Sequence, residues 1–188
     1  MSKRKKICMI GLIAAALCLT ACGQKQGENP YGNTVAALGD EDAYAFLVMD
    51  CPYNVMVTSD LLYNEGTESQ AAICCDVYYN TEDGVKNLGT VMGEGTAYPL
   101  AFSEDGIFAA SGHSVEKYVI SEGTLSMAKG VYERFDSAGN ETYTAAIGGT
   151  EMESTESEYQ EMLEQYAAAQ IIHFSYGADG CVNEIMKP

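Results

Sequence analysis

Tryptophan is absent from this 188-residue sequence, histidine occurs twice, and ten basic side chains stand against twenty-seven acidic ones. Each shortage removes a class of function. Four of the ten cations, Lys3, Arg4, Lys5 and Lys6, crowd the first six positions, so residues 22–188 hold six cations and a formal charge of −21. Nucleic-acid binding needs clustered Lys and Arg to displace counterions from a polyanion, and six scattered cations do not supply such a footprint. His113 and His173 lie far apart with no short Cys or His pairs beside them, so the spacing of a zinc site is missing. The sequence also lacks a Gly-x-Ser-x-Gly elbow, a phosphate-binding loop and a dinucleotide fingerprint. No catalytic residue, metal or cofactor is assigned on these grounds.

What is present suffices for a core. An apolar content of 47% with thirteen tyrosines argues against disorder and for one domain, at about 140 residues. Ahead of it, the basic cluster is followed by Ile7 to Ala21, fifteen residues without a charge. Crossing ~30 Å of hydrocarbon takes about 20 apolar residues, whereas the apolar core of a secretory signal needs ~7–15.

The run ends in Leu19-Thr20-Ala21-Cys22-Gly23. It resembles the lipobox of bacterial lipoprotein signal peptides, with a Leu three residues before a Cys, small residues between and a small residue after. The resemblance implies that residues 1–21 are a signal peptide cleaved before Cys22, and that Cys22 carries a diacylglyceryl group. The expected location is the extracytoplasmic face of the cell membrane, with the membrane itself as a partner. The residue types suit the chemistry: a thiolate forms a stable thioether, and small neighbours admit a peptidase at the bilayer surface. Two acyl chains at ~0.8 kcal/mol per buried methylene hold firmly where one would be marginal.

Cys8 and Cys18 fall inside the signal, leaving Cys51, Cys74, Cys75 and Cys181 in the domain. Four thiols permit three pairings, and buried free thiols are an equal alternative because Cys packs as a small hydrophobe. Residues 22–42 contain Gly23, Gly27, Gly32 and Gly39 without apolar periodicity and read as a flexible tether, with a reach on the order of 25 Å. Asp40-Glu41-Asp42 reads as a solvated acidic turn, since three adjacent carboxylates cannot all face one ion.

Residues 43–188 carry the punctuation of a mainly β protein: an antiparallel meander forming a sandwich or a barrel-like sheet. Ala43 to Met49 is a continuous apolar run, as expected of a strand buried on both faces. Further runs cover 53–58, 71–79, 85–92, 96–102, 106–110, 113–121, 125–135 and 141–147, separated by turn signals such as Asp83-Gly84, Glu122-Gly123 and Gly148-Gly149. One amphipathic helix is expected over about 155–168. Thr155 and Glu158 form a capping-box pair, and Tyr159, Met162, Leu163, Tyr166 and Ala167 make its apolar stripe. Residues 171–176 return as a strand.

The body also resembles uncharacterised secreted and lipid-anchored proteins of Gram-positive anaerobes. The segments that carry this are Ala45 to Asp50, Thr96 to Pro99, Gly106 to Val115 and Phe135 to Asn140. Where such proteins often place a calcium-loop-like stretch, this chain has Met49-Asp50-Cys51-Pro52-Tyr53-Asn54, and only Asp50 matches. The resemblance implies no activity. Ser111-Gly112-His113-Ser114 gathers a histidine and two hydroxyls, but a triad must be assembled across a fold. Acidic pairs such as Glu151/Glu153 and Glu156/Glu158 are expected by chance among so many carboxylates.

The leading expectation is therefore a lipid-anchored extracytoplasmic protein with a non-enzymatic binding or interaction domain for an unidentified protein or glycan ligand. An anchored hydrolase of glycan or peptide polymers and a calcium-stabilised structural module are the alternatives. The acidity suits a soluble domain repelled by anionic lipid and wall polymers.

Overall fold

In the computed structural model, which describes residues 29–64, 70–176 and 181–185, two sheets are laid face to face. The signal segment, Cys22 and the side chain of Cys181 lie outside the described residues. A short helix, α1 (Gly32–Ala36), precedes β1 (Ala43–Val48) and β2 (Val55–Ser59). A small hairpin of β3 (Leu62–Asn64) and β4 (Gln70–Ala72) stands apart, and β5 (Cys74–Thr81) and β6 (Gly84–Met92) follow. Next comes a meander of β7 (Ala101–Ser103), β8 (Gly106–Ala110), β9 (Ser114–Ser121), β10 (Thr124–Phe135), β11 (Glu141–Ile147) and β12 (Thr150–Glu153). Helix α2 (Glu156–Ala168) then leads to β13 (Gln170–Ile171), β14 (Ser175–Tyr176) and β15 (Cys181–Glu184).

Sheet one runs β14-β1-β2-β5-β6, and sheet two runs β12-β11-β10-β9-β8-β7-β13. The architecture is a sandwich, mainly antiparallel. One pair departs from the expected meander: β15 lies parallel to β1, beside Ala45 to Val48, while β14 occupies the same side of β1 at Ala43 and Tyr44.

Period-two alternation explains the layers. Ala43, Ala45 and Leu47 of β1, Val55 and Val57 of β2, and Cys75 and Val77 of β5 point inward, where they meet Phe102 of β7 and Ile107 and Ala109 of β8. The alternate residues face outward and are covered too. Phe108, Ala110, Val115, Val131 and Ala145 pack beneath Tyr159 and Met162 of α2. On the opposite side Tyr44 and Met56 pack with Tyr31, Val35 and Leu38 of the α1 segment. Strands β1 and β8 are therefore buried on both faces, which is why their sequences are unbroken apolar runs.

Helix α2 occupies the expected span. Thr155 Oγ1 accepts a hydrogen bond from the N–H of Glu158 at 3.3 Å, and the Glu158 carboxylate, held below its ordinary range, accepts in return from Ser154 Oγ at 2.5 Å and from the Thr155 backbone. Tyr159 and Met162 are buried as the stripe requires, and Ala167 is exposed.

Four expectations are corrected. The first concerns the tether assigned to 22–42, of which residues 22–28 lie outside the described residues. The described part, 29–42, is folded onto sheet one, and Tyr31 is only 2% exposed. Second, the strand expected over 71–79 breaks at Ile73, whose carbonyl accepts from Gly93 N at 2.7 Å as the chain passes from β4 to β5. Third, of 96–102 only the end is strand, because Gly95 turns at φ 77° and Pro99 has no N–H for a ladder. Fourth, 171–176 is a crossing segment. Ile172 N bonds to Leu100 O and Phe174 N to Gln70 O as the chain leaves sheet two for sheet one. Strand β12 was not expected at all; its four residues are exposed at the edge of sheet two.

Candidate functional site

Three connections meet at one pole of the sandwich: the β1–β2 loop, the β5–β6 hairpin and the β9–β10 turn. The hairpin is closed by Thr81 Oγ1, which donates to Gly84 O at 2.8 Å, with Gly84 at φ 101°. The β9–β10 turn has two residues, Glu122 and Gly123, at φ 51° and 70°. This is the primed geometry that matches strand twist, and it favours Asn, Asp or Gly at its first position. A glutamate held there costs about 1 kcal/mol. Gly123 sits where an added Cβ would lie 3.2 Å from Thr81 Cγ2, so the turn of sheet two rests against the hairpin of sheet one.

Together these loops enclose a cleft of about 540 Å³, a volume within the range of small-molecule sites. Its aromatic wall is Tyr79, buried, and Tyr53, 49% exposed, with ring centroids 6.2 Å apart at 66°. Its polar wall carries Asp50, Glu82, Asp83 and Glu122 against one cation, Lys86. That cation is already matched: Lys86 Nζ lies 2.7 Å from Asp83 Oδ2 and holds the Asp83 carboxyl below its ordinary range. The uncommitted charge in the cleft is negative. Burial, with Asp50 adding to it, pushes the Cys51 thiol up, and burial with Cys51 next does the same for the Tyr79 hydroxyl. Cys51 therefore stays protonated at neutral pH and offers no thiolate nucleophile. Cys74 and Cys75 are likewise free, and burial raises both thiols.

The N-terminal segment enters at the same pole. The Tyr31 hydroxyl donates to Asn54 O at 2.5 Å and accepts from Asn80 N at 3.1 Å, tying the segment to the β1–β2 loop and to the end of β5. Burial lifts this hydroxyl to about 12, partly offset by the Asn80 N–H.

His113 lies elsewhere, in the β8–β9 turn. Its Nδ1 is 2.6 Å from Glu133 Oε2, and its ring meets Phe135 edge to face. Ser111 and Ser114 bond to each other at 2.8 Å, and Ser111 Oγ accepts from His113 N. The hydroxyls are thus committed to closing the turn, and the imidazole to a carboxylate, so the four residues do not form a nucleophile and base pair. Tyr159 OH donates to Gly112 O at 3.2 Å and pins this turn to α2. Glu151 and Glu153 sit on the exposed edge strand, with Glu151 3.9 Å from Arg134. Glu156 and Glu158 occupy the first turn of α2, where the positive end of the helix dipole favours carboxylates. Among the described residues no group of three metal-ligating side chains is gathered, and no helix is long and apolar enough to cross a membrane.

Sequence reasoning missed two arrangements. One is the cleft, whose residues come from three separated loops and whose only local signal is the exposed Pro52-Tyr53 after Cys51. The other is Glu116, which accepts from both Tyr118 OH at 2.7 Å and Tyr132 OH at 2.8 Å on the inner side of sheet two. Burial and this carboxylate raise both hydroxyls, that of Tyr132 to about 12. Alternate spacing of 116 and 118 on β9 could have paired the first two. No protein-family model matches the chain, and comparison with curated proteins and with solved structures gives no match.

Proposed function

We propose that this chain is an extracytoplasmic lipoprotein held at the membrane by acyl chains on Cys22, and that its folded part is a non-enzymatic binding domain. The carrying observation is Leu19-Thr20-Ala21-Cys22-Gly23 at the end of an uncharged run behind four cations. A diacylated cysteine needs no spanning helix to hold a domain at the bilayer. Growth with labelled fatty acid tests this: label enters the wild-type chain and is absent from Cys22→Ala, and equal labelling of both ends the anchoring claim.

The cleft supports the binding half. A half-exposed tyrosine ring beside carboxylates suits a neutral, hydroxyl-rich ligand, with ring faces for stacking and acceptors for hydroxyl protons. Its negative charge disfavours anionic ligands. A panel of neutral oligosaccharides titrated onto wild type and Tyr53→Ala gives the expected result if a bound sugar loses at least tenfold in affinity in the variant. An affinity unchanged by Tyr53→Ala removes the cleft from this reading.

A further inference from the structure

We propose that the uncharged aromatic face where the chain enters the fold rests on the bilayer that holds the Cys22 acyl chains, so that the domain is docked on the membrane surface rather than swinging clear of it. The proposal depends on the anchoring reading above. Asn29, Pro30, Tyr31, Phe46, Tyr53 and Asn54 line a shallow groove of about 210 Å³ beside the cleft. None of the six carries a charge, on a chain whose residues 22–188 sum to −21. Tyr53, shared between this groove and the cleft so that docking and ligand binding compete for its ring, is 49% exposed, and Phe46 packs on Tyr31 with centroids 5.6 Å apart. A tyrosine with an apolar ring and a polar tip is suited to headgroup depth.

The length of the leash selects the occupant. Seven steps separate Cys22 from Asn29, and at ~3.6 Å each they span at most about 25 Å whatever their conformation. Asn29 is itself part of the groove. The leash cannot borrow length from the fold, because Tyr31 is clamped between Asn54 and Asn80. A groove bound so closely to the acylated residue meets the bilayer at an effective concentration in the millimolar range, so a weak contact suffices. The outer surface of α2, with Glu156, Glu161 and Glu164, and the edge strand with Glu151 and Glu153 carry charge and lack such a leash. The neighbouring Asp50, Glu82 and Glu122 make a zwitterionic surface the better match than an anionic one.

The absence of tryptophan supplies the test, because Tyr53→Trp and Phe135→Trp each create a single reporter in the full acylated chain. Phe135 is 52% exposed and lies eleven residues along β10 from the cleft-side end, a distance of roughly 35 Å. In zwitterionic vesicles containing brominated lipid, quenching at position 53 is expected to exceed that at 135 at least threefold, with a blue shift at 53 only. Twelve Gly and Ser residues inserted between Glu28 and Asn29 should leave the preference in place. Equal quenching at the two positions overturns the proposal. So does a preference that disappears with the long leash, which would mean proximity without docking, or one that appears only with cross-linked dimers, which would make a second copy the occupant. Failure of anchoring is read separately, as an intact mass lacking the diacylglyceryl group.

Discussion

The two outer faces of the sandwich are closed by different means. On sheet two, thirteen residues of α2 lay down a stripe, with Tyr159 and Met162 buried and two tyrosine hydroxyls bonded to distant carbonyls, Gly112 O and Pro99 O. On sheet one a five-residue helix with no buried residue of its own covers the surface, and Tyr31 just ahead of it carries the attachment. The first is a distributed contact and the second is a single clamp. On the first face many side chains share the attachment, whereas on the second the loss of one oxygen removes both long-range hydrogen bonds. The clamp lies at the pole that holds the cleft, and its failure would loosen the segment that enters the fold there.

The largest expected loss is on the distributed side. Phe108, 1% exposed between sheet two and α2, should cost 3–5 kcal/mol as Phe108→Ala in urea unfolding. A loss under 1 kcal/mol would mean the α2 face is not packed as described. Tyr31→Phe deletes one oxygen and leaves the Asn80 N–H without its acceptor, a loss of about 1–3 kcal/mol. Hydrogen exchange localises it: amides of residues 35–38 should speed up while those of α2 do not. Thr155→Ala removes the cap on Glu158 N and should cost about 1 kcal/mol, felt at the start of α2. The smallest change has the opposite sign, since Glu122→Asn relieves the left-handed glutamate and should stabilise by up to about 1 kcal/mol.

High pH tests the clamp through the difference between wild type and Tyr31→Phe, because burial also raises the Tyr143 and Tyr159 hydroxyls on the α2 face. The folded Tyr31 hydroxyl titrates at about 12, above its ordinary 10.0. Its contribution is whole below pH 10 and disappears as pH rises from 10 towards 12. Tyr31→Phe lacks that titration, so melts across this window should show wild type losing more stability than the variant. Parallel curves would place the Tyr31 hydroxyl outside the clamp.

Strand runs and the helix were legible because their signals are local and periodic. Thr155 with Tyr159, Met162 and Leu163 marks α2 within a dozen residues, and Glu122-Gly123 and Gly148-Gly149 mark turns that the structure contains. Ala43 to Met49 reads as doubly buried for the right reason, since sheet one is covered on its outer face. What covers it was hidden. The glycine-rich composition of 23–42 read as loose chain, and one aromatic residue that gains two long-range hydrogen bonds leaves no periodic trace. The parallel β1–β15 pair was equally invisible, because pairing partners far apart in sequence carry no spacing rule. The cleft failed to show for the same reason: Asp50, Tyr79 and Glu122 converge only after both sheets are stacked. The Ser111 to Ser114 cluster was the reverse case, conspicuous in sequence and absorbed by turn closure in the fold.

The proposal on which the others rest is that Cys22 delivers this domain to the membrane. Mass spectrometry of the chain extracted from membranes addresses it most directly. The N-terminal peptide is expected to begin at Cys22 and to carry a diacylglyceryl group, with residues 1–21 absent. An N-terminal peptide that retains residues 1–21, or begins at an unmodified Cys22, would contradict it.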